Sequence, residues 1–451
     1  MQDTIYALAS GRGKAGVAVV RISGTAAVRS LESLTGRPAD AFPGRKAVRA
    51  LLRHPDSGEP LDDALAIRFP GPRSYTGEEV VELHLHGGTA VVAAVLGALG
   101  AQPGLRMAEP GEFTRRAFLA GKIDLTAVEG LADLIDAETE AQRRQALRQA
   151  GGALARLYED WAARLTRTLA HWEASIDFVD EELPDALSAE AWATIAALRS
   201  EIAAHLADGG RGERLRAGLR VAITGKPNAG KSSLLNRLAE REAAIVSAVP
   251  GTTRDVIELH FDIDGYPVVV ADTAGIRDSD DPVEAEGVRR ARQWASAADL
   301  RVLVIDGVGE AADAVPVPEA DTLVFVNKAD AWGEEVRRGW GDAIAGIARR
   351  GGSIHSLSLA TGAGWGEARA ALHDAVVTRC GVGEVPLLTR ARHREALSDC
   401  GAALARCAPG RPVEVVAEEL RRAVHALGRI TGRVDVEALL DIVFRDFCIG
   451  K

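Results

Sequence analysis

The feature that most constrains this chain is Gly225-Lys226-Pro227-Asn228-Ala229-Gly230-Lys231-Ser232, which fits G-x-x-x-x-G-K-[ST] between an apolar run, Leu219 to Thr224, and a helix-like stretch starting near Ser232. Glycines there let backbone N–H groups converge on phosphate oxygens. Lys231 offers a point charge to the β- and γ-phosphates, and the Ser232 hydroxyl is a Mg²⁺ ligand. Strands then alternate with helices to about Val377, the pattern of an α/β nucleotide-binding domain.

Three further elements follow in the right order. Asp272-Thr273-Ala274-Gly275 comes after the apolar Val268-Val269-Val270, so that Asp272 can hold Mg²⁺ through water and the Gly275 amide can meet the γ-phosphate. Asn327-Lys328-Ala329-Asp330 ends the run Leu323 to Val326. A carboxylate at Asp330 accepts two hydrogen bonds from guanine N1 and N2, which adenine does not supply, and so selects GTP over ATP. Ser358-Leu359-Ala360, a loose match to the usual Ser-Ala-x, is placed to meet the guanine O6 through backbone N–H. Gly251-Thr252-Thr253-Arg254-Asp255 is a polar, turn-prone segment, and Thr253 is the candidate that completes the Mg²⁺ shell. The predicted GTP contacts are therefore Asn228 to Ser233 (Asn228, Ala229, Gly230, Lys231, Ser232, Ser233), Ser247 to Thr252 (Ser247, Ala248, Val249, Pro250, Gly251, Thr252), Asp272 to Gly275, Asn327 to Asp330, and Ser358 to Ala360.

Ile276 stands where Ras-like enzymes carry the glutamine that orients water, and an apolar side chain cannot polarise water. Acidic candidates for that work are Asp278, Asp280, Asp281, Glu284 and Glu286. Asn228 supplies a side-chain carbonyl beside the phosphates. Completed by carbonyls of the loop around Ser247 to Thr252, it would hold K⁺ and do the electrostatic work of an arginine finger. A capping or turn-forming role for Asn228 fits the residue equally well.

A chain of 451 residues suggests two to four domains. Residues 1–119 mix short apolar runs with turn signals, an α+β pattern. Residues 120–214 carry apolar positions at helical spacing, as in Leu125, Val128, Leu131, Leu134 and Ile135. The α/β GTPase pattern spans 215–380, and helical composition returns over 381–451. The fold class is thus multidomain α/β and α, with the GTPase inserted into a discontinuous helical domain. A net charge of −10 argues against a protein that coats nucleic acid electrostatically, although one face can still act on tRNA. Cys380, Cys400, Cys407 and Cys448 have no metal-binding spacing, which fits a reducing, cytoplasmic location. Neither a secretory signal nor an apolar run of about eighteen residues is present, so no stable membrane insertion is expected.

Together with Val20-Arg21-Ile22-Ser23-Gly24, Ser74-Tyr75-Thr76-Gly77-Glu78, Pro110-Gly111-Glu112-Phe113-Thr114, Lys122-Ile123-Asp124-Leu125 and the terminal Cys448-Ile449-Gly450-Lys451, these motifs resemble the MnmE (TrmE) family of tRNA-modifying GTPases along essentially the whole chain. The resemblance implies an N-terminal folate-binding domain that mediates homodimerisation. It implies K⁺-stimulated hydrolysis through G-domain dimerisation, with K⁺ on Asn228, Ser247, Val249 and Thr252, and Mg²⁺ on Ser232 and Thr253. Glu284 then joins Lys231 and Thr253 in catalysis. A tetrahydrofolate derivative, 5-formyl- or 5,10-methylene-tetrahydrofolate, would meet Arg21, Glu82, Lys122 and Lys451. The implied partner is the flavoprotein MnmG (GidA) in a heterotetramer, and the implied product is an aminomethyl or carboxymethylaminomethyl group at C5 of the tRNA wobble uridine. Cys448 looks like a catalytic thiol by its motif, while its apolar setting, Phe447-Cys448-Ile449, fits an inert cysteine. A ribosome-assembly GTPase related to Era or Der would share the loop motifs, but the C-terminal helices carry no RNA-binding signature of that kind.

Overall fold

The computed structural model describes residues 3–177, 185–241, 244–245, 258–271, 296–312, 318–319, 321–381, 386–434, 440, 443–444, 447 and 450. They form two compact units, Met1–Ala132 with Ala150–Ala162 and Val424–Lys451, and Asp133–Gln149 with Ala163–Ala423.

In the first unit, strands β1 (Thr4–Leu8), β2 (Val17–Ser23), β3 (Ala47–Arg53), β4 (Pro60–Phe69), β5 (Val80–His86) and β6 (Leu105–Met107) form one sheet in the order β3-β4-β5-β2-β1-β6. Every pairing is antiparallel except β1 with β6. Period-two patterning decides the faces: in β2, Ala18, Val20 and Ile22 are buried. Val20, Ile22, Leu52 and Leu83 pack with Leu31 and Leu34 of helix Ala27–Thr35 and with Val95 and Leu99 of helix Thr89–Gly100. Each such side chain contributes about 1.5–3 kcal/mol on burial.

Two of the N-terminal motifs meet in a charged network. Glu78 accepts from Ser23 Oγ at 2.7 Å and from Arg116 at 3.1 Å, and Arg116 also donates to Glu112 at 3.0 Å. Arg106 closes the network with two bonds to Glu112, at 2.8 and 2.7 Å. Burial pushes the Glu112 carboxyl up, but Arg106, the Glu109 amide and Arg116 outweigh it, and the net shift is downward. Glu78 and Glu112, one from each motif, are therefore held in one structural network.

The second unit holds a seven-stranded sheet: β7 (Leu219–Thr224), β8 (Ala244–Ile245), β9 (Glu258–Ile263), β10 (Tyr266–Ala271), β11 (Leu300–Asp306), β12 (Thr322–Asn327) and β13 (Ser353–Ser356), in the order β13-β12-β11-β7-β10-β9-β8. β7, β10, β11, β12 and β13 run parallel; β9 and β8 add an antiparallel edge. A parallel sheet covered on both faces needs nearly continuous apolar strands. β12 meets that demand: Leu323 and Phe325 enter one core with Leu234, Leu238 and Leu372, while Val324 and Val326 enter another with Trp340 and Ile347. Leu219 to Thr224 is a strand and Leu125 to Asp136 a helix, as their patterns predict. Helix Ala391–Arg406 packs along Asp185–Leu206. Arg394 ties them by donating to Leu206 O at 2.9 Å and Asp208 Oδ1 at 2.8 Å. Among the described residues no helix is long and apolar enough to cross a membrane.

Candidate functional site

β7 is flanked by β11 and β10, so the chain direction across the sheet reverses at this strand, and its C-terminal end is the switch point where open α/β sheets place ligands. Gly225 follows there with φ +140°, and a Cβ on it would lie 2.1 Å from Val304 O. Only glycine lets the loop leave β7 so close to β11. Helix Lys231–Arg241 begins directly after the loop and points its free N–H groups at it. Lys231 Nζ lies across the loop, donating to Gly225 O at 3.0 Å and Lys226 O at 2.9 Å. Ser232 and Ser233 are exposed in the first turn.

Asn228 adopts φ +63°, an αL conformation that asparagine tolerates better than most residues. It is exposed and makes no side-chain hydrogen bond among the described residues. It therefore takes a turn conformation, and among the described residues its side-chain carbonyl has no hydrogen-bond donor.

At the base end, Asn327 is 5% exposed and acts as a brace. Its Nδ2 donates to Ala229 O at 2.9 Å, and its Oδ1 accepts from Leu359 N at 3.0 Å. One side chain thus ties the phosphate loop to the Ser358 loop. Lys328, at φ +65°, donates from Nζ to Asp306 Oδ2 at 2.6 Å. Burial raises the Asp306 carboxyl, but Lys328 and the Val308 and Gly309 amides outweigh it, so its pKa lies below the usual range. Asp330 is exposed in the short turn Ala329–Ala331 and has no partner among the described residues. In the Ser358 loop the Ser358 amide donates to Ala363 O at 2.8 Å and the Leu359 amide to Asn327. That leaves the amide of the exposed Ala360 for a ligand. Asp306 and Glu310, which pairs with Lys226 at 2.9 Å, escaped the sequence reading. An Asp closing the strand beside β7 was the available signal.

Ser247, Ala248, Val249, Pro250, Gly251, Thr252, Thr253, Asp272, Thr273, Ala274, Gly275, Glu284, Cys448 and Lys451 lie outside the described residues. Cys400 and Cys380 have thiols pushed up by burial to about 12, and Cys407 to about 11, so all three are protonated and unreactive at neutral pH.

In the first unit Arg21 and Glu82 face each other across β2 and β5 and pair with one another, Nε to Oε1 at 3.0 Å. The guanidinium lies 5.3 Å from the Tyr75 ring centroid and 5.6 Å from that of Phe113. His84 Nε2 approaches the second Glu82 oxygen at 3.5 Å and has no hydrogen-bond partner among the described residues. Lys122 is exposed and donates to Pro72 O at 2.7 Å. Tyr75, Phe113 and His84 were not singled out from the sequence, because ring contacts across strands leave no local pattern.

A phosphate loop at the switch point of a parallel sheet, braced to the Ser358 loop with the Asp330 carboxylate unpartnered among the described residues, fits a P-loop GTPase, with GTP and Mg²⁺ as its ligands. Residues 4–122 match the GTP-binding protein TrmE N-terminus, and residues 125–448 match the MnmE helical domain. The chain belongs to the MnmE family of tRNA modification GTPases and is a GTP hydrolase. It is 57% identical over 454 residues to the tRNA modification GTPase MnmE of Parvibaculum lavamentivorans, covering 100% of both chains. It is 53% identical over 455 residues to that of Paramagnetospirillum magneticum, again covering 100% of both. A Danio rerio relative, the mitochondrial 5-taurinomethyluridine-[tRNA] synthase subunit GTPB3, is 48% identical over 472 residues, covering 100% of this chain and 93% of its own.

Proposed function

We propose that this chain couples K⁺-stimulated GTP hydrolysis, activated by G-domain dimerisation, to the addition of an aminomethyl or carboxymethylaminomethyl group at C5 of the wobble uridine of certain tRNAs. In this reading it works as a homodimer with an MnmG-type flavoprotein in the cytoplasm and takes its one-carbon unit from a tetrahydrofolate derivative. Family membership over the full length supports the assignment, and the observation that carries the cation part is Asn228. Its uncommitted, exposed carbonyl in an αL turn of the phosphate loop suits a weakly hydrated monovalent cation. Ser247, Val249 and Thr252 would complete that site, Ser232 and Thr253 would hold Mg²⁺, and Glu284 would orient the water.

The donor set near Arg21 also fits a folate. Arg21 engages Glu82 through Oε1, so Oε2, with His84 Nε2 3.5 Å away, is the oxygen left for pterin N–H donors. Lys122 and Lys451 supply positive charge for the glutamate carboxylates. The folate brings the transferable carbon; the protein residues bind and orient it.

Comparing GTP turnover in K⁺ and Na⁺ tests the cation reading. Turnover is expected to be at least about tenfold faster in K⁺, a difference of roughly 1.4 kcal/mol in barrier, and Asn228→Ala is expected to erase the difference. Equal rates in the two salts would refute K⁺ assistance.

A further inference from the structure

Residues 133–149 group with the nucleotide-binding unit and not with the segments on either side of them, 1–132 and 150–162. Their contacts explain why. Ala141, at the start of helix Glu140–Ala150, is buried in the same core as Phe261, Ile263 and Val268 of β9 and β10. The Ala141 amide donates to Gly265 O at 2.9 Å, and Glu138 Oε2 lies 3.5 Å from His260 Nδ1. β9 and β10 are joined by Asp264 and Gly265, both at positive φ (+48° and +90°), a tight two-residue hairpin. The hairpin is held on its other side by Arg369, whose Nη2 bonds Asp264 at 2.6 Å.

The same short segment also reaches both points where the chain passes into and out of the α/β domain. Gln142 Nε2 donates to Arg216 O at 3.0 Å, and Asp133 Oδ1 accepts from Arg216 at 3.0 Å and from Arg390 at 2.7 Å. Thr389 Oγ1 donates to Gln149 at 2.9 Å. Arg216 lies in the last turn of the helix Arg211–Ala217 just before β7, while Thr389 and Arg390 precede the helix Ala391–Arg406.

β9 starts at Glu258, just after the Gly251 to Asp255 segment, and β10 ends at Ala271, the residue before Asp272. These two segments carry the residues assigned to the γ-phosphate and Mg²⁺. Six paired positions join β9 to β10 between these ends and the Asp264–Gly265 turn. We infer that residues 133–149 read the nucleotide state from the β9–β10 hairpin, through Ala141–Gly265 and Glu138–His260, and pass it to both chain crossings. Glu138 and His260 are positioning residues for the coupling of GTP turnover to modification, outside the segments assigned to the nucleotide.

Amide hydrogen exchange on the full-length protein with GDP or with a non-hydrolysable GTP analogue reads this link directly. Exchange across residues 138–142 is expected to differ by about tenfold or more between the two states, and a difference below about twofold would overturn the inference. Independently, His260→Ala and the milder Glu138→Gln are expected to keep GTP turnover within about twofold of the parent while lowering the modified wobble nucleoside in cells by about fivefold or more. Unchanged nucleoside, or nucleoside lost in proportion to GTP turnover, would also overturn it. Absence of modified nucleoside with the parent chain itself would instead remove the modification pathway proposed above, and the exchange measurement would still decide the link.

Discussion

Asp330 and Asn327 lie three residues apart and do different work. Asn327 is a buried brace whose two polar atoms are spent on Ala229 and Leu359, whereas the Asp330 carboxylate is exposed and unspent. On the proposed role, such an acceptor discriminates because guanine offers it N–H donors. Asp330→Asn removes the charge and turns one acceptor into a donor. The loss of charge-assisted hydrogen bonds is expected to weaken GDP binding about a hundredfold, roughly 3 kcal/mol, while improving binding of the xanthine nucleotide, which carries a carbonyl in place of the N2 amino group. Fluorescence titration with labelled GDP and XDP checks this, and unchanged GDP affinity would remove Asp330 from base recognition. Sequence could propose a role for Asp330 because the proposed partner is a ligand of known chemistry. It could not assign the brace, because Ala229 and Leu359 come together only when the sheet forms.

The helix pair Asp185–Leu206 and Ala391–Arg406 carries a titrating element that no motif announces. His205 and His393 are both buried near Arg394, which clamps Leu206 and Asp208. Burial pushes the His205 imidazole from 6.5 down to about 4; Asp208 opposes the shift, and Arg394 and His393 reinforce it. The folded state therefore holds His205 neutral, and its contribution is complete above about pH 6.5. As pH falls from 6.5 towards 4, the unfolded chain gains a proton that the folded one refuses, and stability is lost across that window. Linkage gives a loss of about 2 kcal/mol between pH 7 and pH 5 from this group. Urea unfolding at the two pH values measures it, and His205→Leu is expected to remove this component of the slope whatever it does at pH 7. An identical slope in the variant would exclude His205 as its source.

Over the whole molecule, the parts most readable from sequence were those built from contiguous residues. The phosphate loop, β7, β12 and the amphipathic helix Leu125–Asp136 announce themselves within a few residues, through glycine spacing and apolar period. Contacts between distant segments did not. The Glu78–Arg116 ion pair, the Asp306–Lys328 pair and the docking of Ala141 on Gly265 each join residues far apart in sequence, and nothing local announces the pairing. The central claim is that GTP turnover at Lys231 drives tRNA modification. Mass spectrometry of tRNA nucleosides from a strain lacking the native gene tests it most directly. Supplying this chain is predicted to restore the C5-substituted wobble uridine, and supplying Lys231→Ala is predicted not to. Equal levels of the modified nucleoside with the chain, with the variant and with neither would contradict the account.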